Sequence, residues 1–249
     1  LDWAENHKGS KKYVAFADKC WPAFPSQFGF EPCYVNSRLV SRGIPVSCEV
    51  DIYGALSEYI GICASGDTVT LLDINNSVPK YIYDEDISGK FDYKLTDTFM
   101  GFHCGNTPAC KMCGNRAVKY QLIQHRLLEP VGSDPDFTRG TLEGDIAPSD
   151  ITFYRLQCDS EGQLRAYIAE GEILPVATRS FGGIAIFAIP EMGRFYRHVL
   201  IQKRYPHHGA VAFGHYGKTL FEVLKFFGIA DIAYNQPKSL PYPTENPFA

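Results

Sequence analysis

Two carboxylates and a histidine-rich run carry the chemistry that this sequence offers. Glu49 follows the apolar run Ile44-Pro45-Val46-Ser47-Cys48, and Asp73 follows Thr68-Val69-Thr70-Leu71-Leu72, so each acid falls where a strand is expected to end. Seven histidines are present, and His207, His208 and His215 share one glycine-rich run, residues 206–217. Two oxygens and one imidazole nitrogen, with room for water or substrate, suit Mn²⁺ and related borderline divalent ions. A structural zinc site would carry thiolates instead. Such an ion polarises a carbonyl and its neighbouring hydroxyl while a carboxylate moves a proton. Adjacent histidines point in different directions, so at most one of His207 and His208 is expected to meet a given metal. The bland alternative is two helix-start acids, which are common at that position, and a solvated loop with incidental histidines.

A third run, Gly101-Phe102-His103-Cys104-Gly105-Asn106-Thr107-Pro108, places His103 in a polar setting. It reads as a further metal ligand, a sugar contact or a hydrogen-bonded structural histidine. Cys110 and Cys113 form a CxxC, but no second CxxC accompanies it and His103 and Cys104 are adjacent, which argues against a zinc knuckle. Trp21, Tyr53, Phe102, Tyr205 and Tyr216 lie near these motifs, and each could wall a sugar site or fill the core.

The elements that must position these groups are legible in outline. Ile52, Ala55, Leu56, Tyr59, Ile60 and Cys63 recur at helical spacing between the two acids. Gly54 and Gly61 weaken that helix but allow close approach of another group. The unit reads strand, helix, strand, and a crossover of this kind makes the strands parallel and usually neighbours. Ligands gather at the carboxyl ends of such strands. A short strand is expected over residues 11–18 and a helix over 32–42, stopped by Gly43. From about residue 99 to 189 the segments are short and β-like (119–123, 140–146, 151–157, 164–168, 184–189), which predicts a sandwich or barrel. Helices are expected over 191–203 and 218–227, with the histidine run as a loop between them and a closing strand over 229–234. The tail from Gln236 carries four prolines and is expected to lie extended on the surface.

A chain of 249 residues with 45% hydrophobic and 21% charged residues is an ordinary globular composition. A net charge of −4 leaves no basic footprint for nucleic acid or anionic membrane. The longest apolar run, residues 182–190, is too short to span a bilayer. Eight cysteines without a recognisable secretory leader predict reduced thiols in a cytoplasmic protein. The chain opens at Leu1 and enters structure abruptly, as expected of a fragment of a longer protein.

Taken together these runs resemble the L-fucose isomerase / L-arabinose isomerase family. The stretch from Cys20-Trp21-Pro22 to Cys48-Glu49-Val50-Asp51-Ile52-Tyr53-Gly54-Ala55-Leu56 is similar to the end of that family's middle domain. Leu72-Asp73-Ile74-Asn75-Asn76 resembles its second metal-binding strand end, and residues 208–215 resemble its C-terminal histidine loop. The resemblance implies an α/β plus all-β fold: the end of an α/β parallel-sheet domain over residues 1–75, then a Greek-key-like β-barrel with C-terminal helices over 76–249. It implies Glu49, Asp73 and His208 as ligands of Mn²⁺ or another divalent ion, with the two carboxylates as proton movers of an ene-diol mechanism. Gly101-Phe102-His103 matches a further histidine of the arabinose branch. His207, His215 and Trp21 are additional candidates for metal or substrate. The activity implied is aldose–ketose isomerisation of an open-chain monosaccharide by a homo-oligomer whose N-terminal domain has no counterpart here. Two rivals stand beside it. One is an isomerase or epimerase for another sugar, the phosphorylated case being disfavoured by the lack of a Gly-rich phosphate loop. The other is a sugar-binding or assembly module of the same fold.

Overall fold

The computed structural model describes residues 2–7, 9, 13–20, 22–119, 132–134 and 141–246. Runs of β-branched and aromatic residues form its strands, where flat, branched side chains pack on a pleated surface. In chain order the elements are α1 (Asp2–His7), β1 (Phe16–Ala17), α2 (Ala23–Phe28), α3 (Cys33–Val40), β2 (Val46–Ser47), α4 (Ile52–Ser65), β3 (Val69–Asn76) and α5 (Lys80–Ile82). There follow β4 (Thr98–His103), β5 (Ala117–Lys119), β6 (Thr141–Asp145), β7 (Ser149–Cys158), β8 (Leu164–Ile173), β9 (Gly183–Ala188), α6 (Met192–Phe195), β10 (His208–Phe213), α7 (Gly217–Phe226) and β11 (Asp231–Tyr234). The larger sheet has the order β11-β8-β7-β10-β3-β4-β9-β6-β5. A further pairing of β8 with β9, at Glu172–Ala188 and Ile173–Phe187, closes six antiparallel strands into a barrel.

Alternation along the strands sorts side chains between the barrel interior and its outer face. Ile151 and Phe153 of β7 and Val211 of β10 point into a core with Phe99, Tyr167, Phe187 and Phe195. Tyr154 and Leu156, with Ala210 and Ala212, point outward and are covered by α4 and by Leu220 and Leu224 of α7. Gly61 lets α4 seat closely, because a Cβ there would overlap the Tyr154 hydroxyl. That hydroxyl donates to the Ser57 carbonyl at 2.8 Å. Among the described residues, no helix is long and apolar enough to cross a membrane.

Three expectations are corrected. The two acid-bearing strands are not parallel neighbours: β2 pairs in parallel with β1, whereas β3 lies between β10 and β4 and is antiparallel to both. The apolar run of β3 is long because both of its barrel faces are covered, a pattern that a buried parallel strand shares. The histidine run is not a loop. Its residues 208–213 form β10 at the middle of the sheet. Its glycine and alanines are there for space, since a Cβ at Gly209 would run into the Phe153 ring. The tail does not merely lie on the surface: Tyr242 is buried and stacks on His198, and Glu245 pairs with Arg194 at 2.6 Å. Of the expected strand over 119–123, only Lys119 is described, as the end of β5.

Candidate active site

The β-ladder builds the site. His208 opens β10 and stands directly opposite Asp73 on β3. Cross-strand partners share a face, and here it is the outer face of the barrel, which α4 covers. Asp73 lies within β3 rather than at its end, just before the register shifts between Ile74 and Asn76. Glu49 reaches the same place from the turn that joins β2 to α4. Glu49 and Val50 both adopt left-handed backbone, with φ of 62° and 59°. For a β-branched residue such as Val50 that conformation is strained, at about 1–3 kcal/mol. Hydrogen bonds from Val50 N to the Asp18 carbonyl at 2.8 Å and from Asp51 N to the Cys48 carbonyl at 3.2 Å hold the turn in place.

His208 Nε2 lies 3.1 Å from Asp73 Oδ1 and 3.6 Å from Glu49 Oε2. Asp73 Oδ1 and His208 Nε2 are both buried, and beyond this ion pair neither has a hydrogen-bond partner among the described residues. Glu49 is more open, its side chain 59% exposed. His207 also approaches, with Nε2 3.8 Å from Asp73 Oδ1. The two adjacent imidazoles therefore face one centre, because His207 precedes the strand and escapes its alternation. Donor atoms of Glu49, His207 and His208 all lie within 4.8 Å of one another.

Asp51, which sequence reasoning passed over, fixes the orientation of His208. It caps α4 by accepting from Gly54 N at 2.8 Å. It also accepts from His208 Nδ1 at 2.9 Å and from both terminal nitrogens of Arg155 at 2.7 and 2.8 Å. An ionised carboxylate only accepts, so Nδ1 carries the proton and Nε2 is presented to Asp73 and Glu49. The signal available in the sequence was Arg155, a lone cation inside the apolar run 151–156, which requires a buried anion as partner.

The electrostatics follow from these contacts. Burial raises the Asp51 carboxyl, but His208 and Arg155 outweigh it and hold the group well below the usual carboxylate range. Burial likewise raises Asp73, and His208, His103 and His207 more than reverse it. For His208, burial favours the neutral ring, yet the Asp51 and Asp73 carboxylates push the group up to about 9. His103 is buried at the end of β4, its ring centroid 6.3 Å from that of His208, and its Nε2 is unpartnered among the described residues. His215 lies elsewhere, beyond the far end of β10, where Nε2 hydrogen-bonds to the Gly171 carbonyl at 3.1 Å. Trp21 falls outside the described residues.

The donor set fits a divalent cation. Asp73 Oδ1 and His208 Nε2 are buried together as an ion pair with no hydrogen bond to another described group, and two carboxylates with an imidazole suit a borderline ion with open positions. Barrel and site together define a protein with a carboxylate–imidazole centre on a barrel face. The chain belongs to the family described as L-fucose isomerase, C-terminal domain, whose model matches residues 101–234. It is 25% identical over 185 residues to a sulfoquinovose isomerase of Clostridium sp. (strain MSTE9), covering 71% of this chain and 34% of that protein. It is 24% identical over 223 residues to a sulfoquinovose isomerase of Alkalicoccus urumqiensis, covering 86% of this chain and 43% of that protein. A third, from Priestia aryabhattai, is 36% identical over 58 residues, 23% of this chain and 13% of its own length. The chain thus spans less than half the length of these relatives.

Proposed function

We propose that this chain is the catalytic C-terminal portion of a metal-dependent aldose–ketose isomerase working through an ene-diol. The observation that carries the reading is the buried ion pair of Asp73 Oδ1 and His208 Nε2, 3.1 Å apart, with Glu49 beside them. Glu49, Asp73 and His208 would hold Mn²⁺ or another divalent ion. Such an ion supplies Lewis-acid polarisation of the sugar's carbonyl and neighbouring hydroxyl and stabilises the developing enediolate charge. One of the two carboxylates takes the proton from C2 of the open-chain sugar and returns it at C1, and the other moves protons at the oxygens. The exposed Glu49 is free to reach substrate, whereas Asp73 is enclosed by imidazoles. Asp51 and Arg155 hold the His208 ring in place.

The names of the relatives support a monosaccharide substrate, with sulfoquinovose a candidate alongside L-fucose and L-arabinose. We assign residues 1–75 to the end of an α/β middle domain and 76–249 to a Greek-key-like barrel, with β3 lent by the first unit to the second. A cytoplasmic homo-oligomer is the setting we propose. Replacing Glu49 with Gln in the full protein is expected to abolish manganese-dependent turnover of whichever of these three sugars it converts. Turnover near wild type would overturn the assignment.

A further inference from the structure

Next to the carboxylate–imidazole centre lies a second group of ligating side chains that the isomerase reading does not use. Strands β1 and β2 pair in parallel, Ala17 beside Ser47, so Asp18 and Cys48 leave the two strands side by side. Cys20 follows in the turn after β1. One donor atom from each of Asp18, Cys20 and Cys48 lies within 4.8 Å of the other two. Both thiols are buried. Asn36 Nδ2 donates to Asp18 Oδ2 at 2.6 Å, which fixes the carboxylate. Asp18 Oδ1 is left buried and without a hydrogen-bond partner among the described residues. A buried, unpaired carboxylate oxygen beside two sulfurs is costly unless a proton or a cation joins them.

We propose that Asp18, Cys20 and Cys48 form a site for a thiophilic divalent cation of the zinc class. One oxygen and two sulfurs make a softer set than two oxygens and a nitrogen, so the neighbouring sites would sort different ions. Tetrahedral zinc ligands lie about 3.3–3.8 Å apart, so the present spacing closes with movements of about 1 Å. Binding releases the two thiol protons to solvent. The ion would also tie Asp18, whose carbonyl accepts from Val50 N, to the strained turn that presents Glu49. The inference stands on these three residues and does not depend on the isomerase reading.

The test uses the reduced, chelator-treated full protein with Mn²⁺ in excess and Co²⁺ as probe. Thiolate-to-cobalt charge-transfer absorption should saturate at one ion per chain. It should persist in His208→Ala and vanish in Cys20→Ser and Cys48→Ser. No such band, or a band that survives both serine substitutions, overturns the proposal. If the serine variants do not fold, the unaltered protein still decides. Zn²⁺ at ten times its dissociation constant should slow alkylation of Cys20 and Cys48 by about tenfold, leaving the exposed Cys63 unchanged. Equal rates with and without zinc overturn it.

Discussion

Asp51→Asn tests whether the second layer of the site is what aims His208. The two oxygens of Asp51 accept four hydrogen bonds: Gly54 N and one Arg155 nitrogen on Oδ1, the other Arg155 nitrogen and His208 Nδ1 on Oδ2. Asparagine keeps the shape and is an equally good helix cap, but one of its two positions becomes an NH₂ facing two donors. Two unmet buried donors cost about 1–3 kcal/mol each, or roughly 2–6 kcal/mol in all. At about 2–4 °C per kcal/mol for a chain of this size, the melting temperature should fall by at least about 4 °C. Removing such an orienting group weakens metal sites by about 10–100-fold. Manganese affinity and melting temperature should therefore drop together, and Arg155→Met, which leaves Asp51 its bond to His208, should lose stability with a smaller loss of affinity. A variant Asp51→Asn with unchanged melting temperature and unchanged affinity would refute the reasoning.

Two further consequences come from α4. Glu58 is fully buried, and burial, only partly offset by Ser47, pushes its carboxyl from 4.5 up to about 8. The folded chain therefore binds a proton that the unfolded chain has released, so stability is complete below about pH 4.5 and declines as pH rises toward 8. At about 1.4 kcal/mol per pH unit the loss is roughly 4–5 kcal/mol at most. Glu58→Gln should flatten melting temperature against pH between 5 and 8, and an unchanged slope would show that Glu58 is ionised in the fold. Gly61→Ala forces a methyl into the Tyr154 hydroxyl and should cost about 1–3 kcal/mol in denaturant unfolding. The cost should shrink in a Tyr154→Phe background, and full additivity of the two changes would place the strain elsewhere.

The local pieces of this architecture were legible in the sequence, and the long-range pairings were not. Helical spacing from Ile52 to Cys63 marked α4, and apolar runs marked β7, β8 and β9, because periodicity reports the burial of a single element. Asp73 and Glu49 stood out as acids following apolar runs. What joins them is strand pairing across more than a hundred residues, His208 opposite Asp73, and no local pattern encodes a partner that distant. The run containing His208 looked like a loop because Gly209, Ala210 and Ala212 carry no β signature. They are small for packing reasons, with a ring on one side and α4 on the other. Asp51 was overlooked because nothing local sets it apart within the run Cys48-Glu49-Val50-Asp51. Only the fold shows that its carboxylate meets Arg155 and His208.

The central claim is that Glu49, Asp73 and His208 converge on one divalent ion. A manganese titration of the full protein followed by electron paramagnetic resonance tests it directly, with His208→Ala as the comparison. Wild type should take up the ion at this centre, and His208→Ala should weaken it beyond the roughly 10–100-fold that a merely supporting group is worth. Manganese affinity unaltered by the loss of His208 would contradict the account.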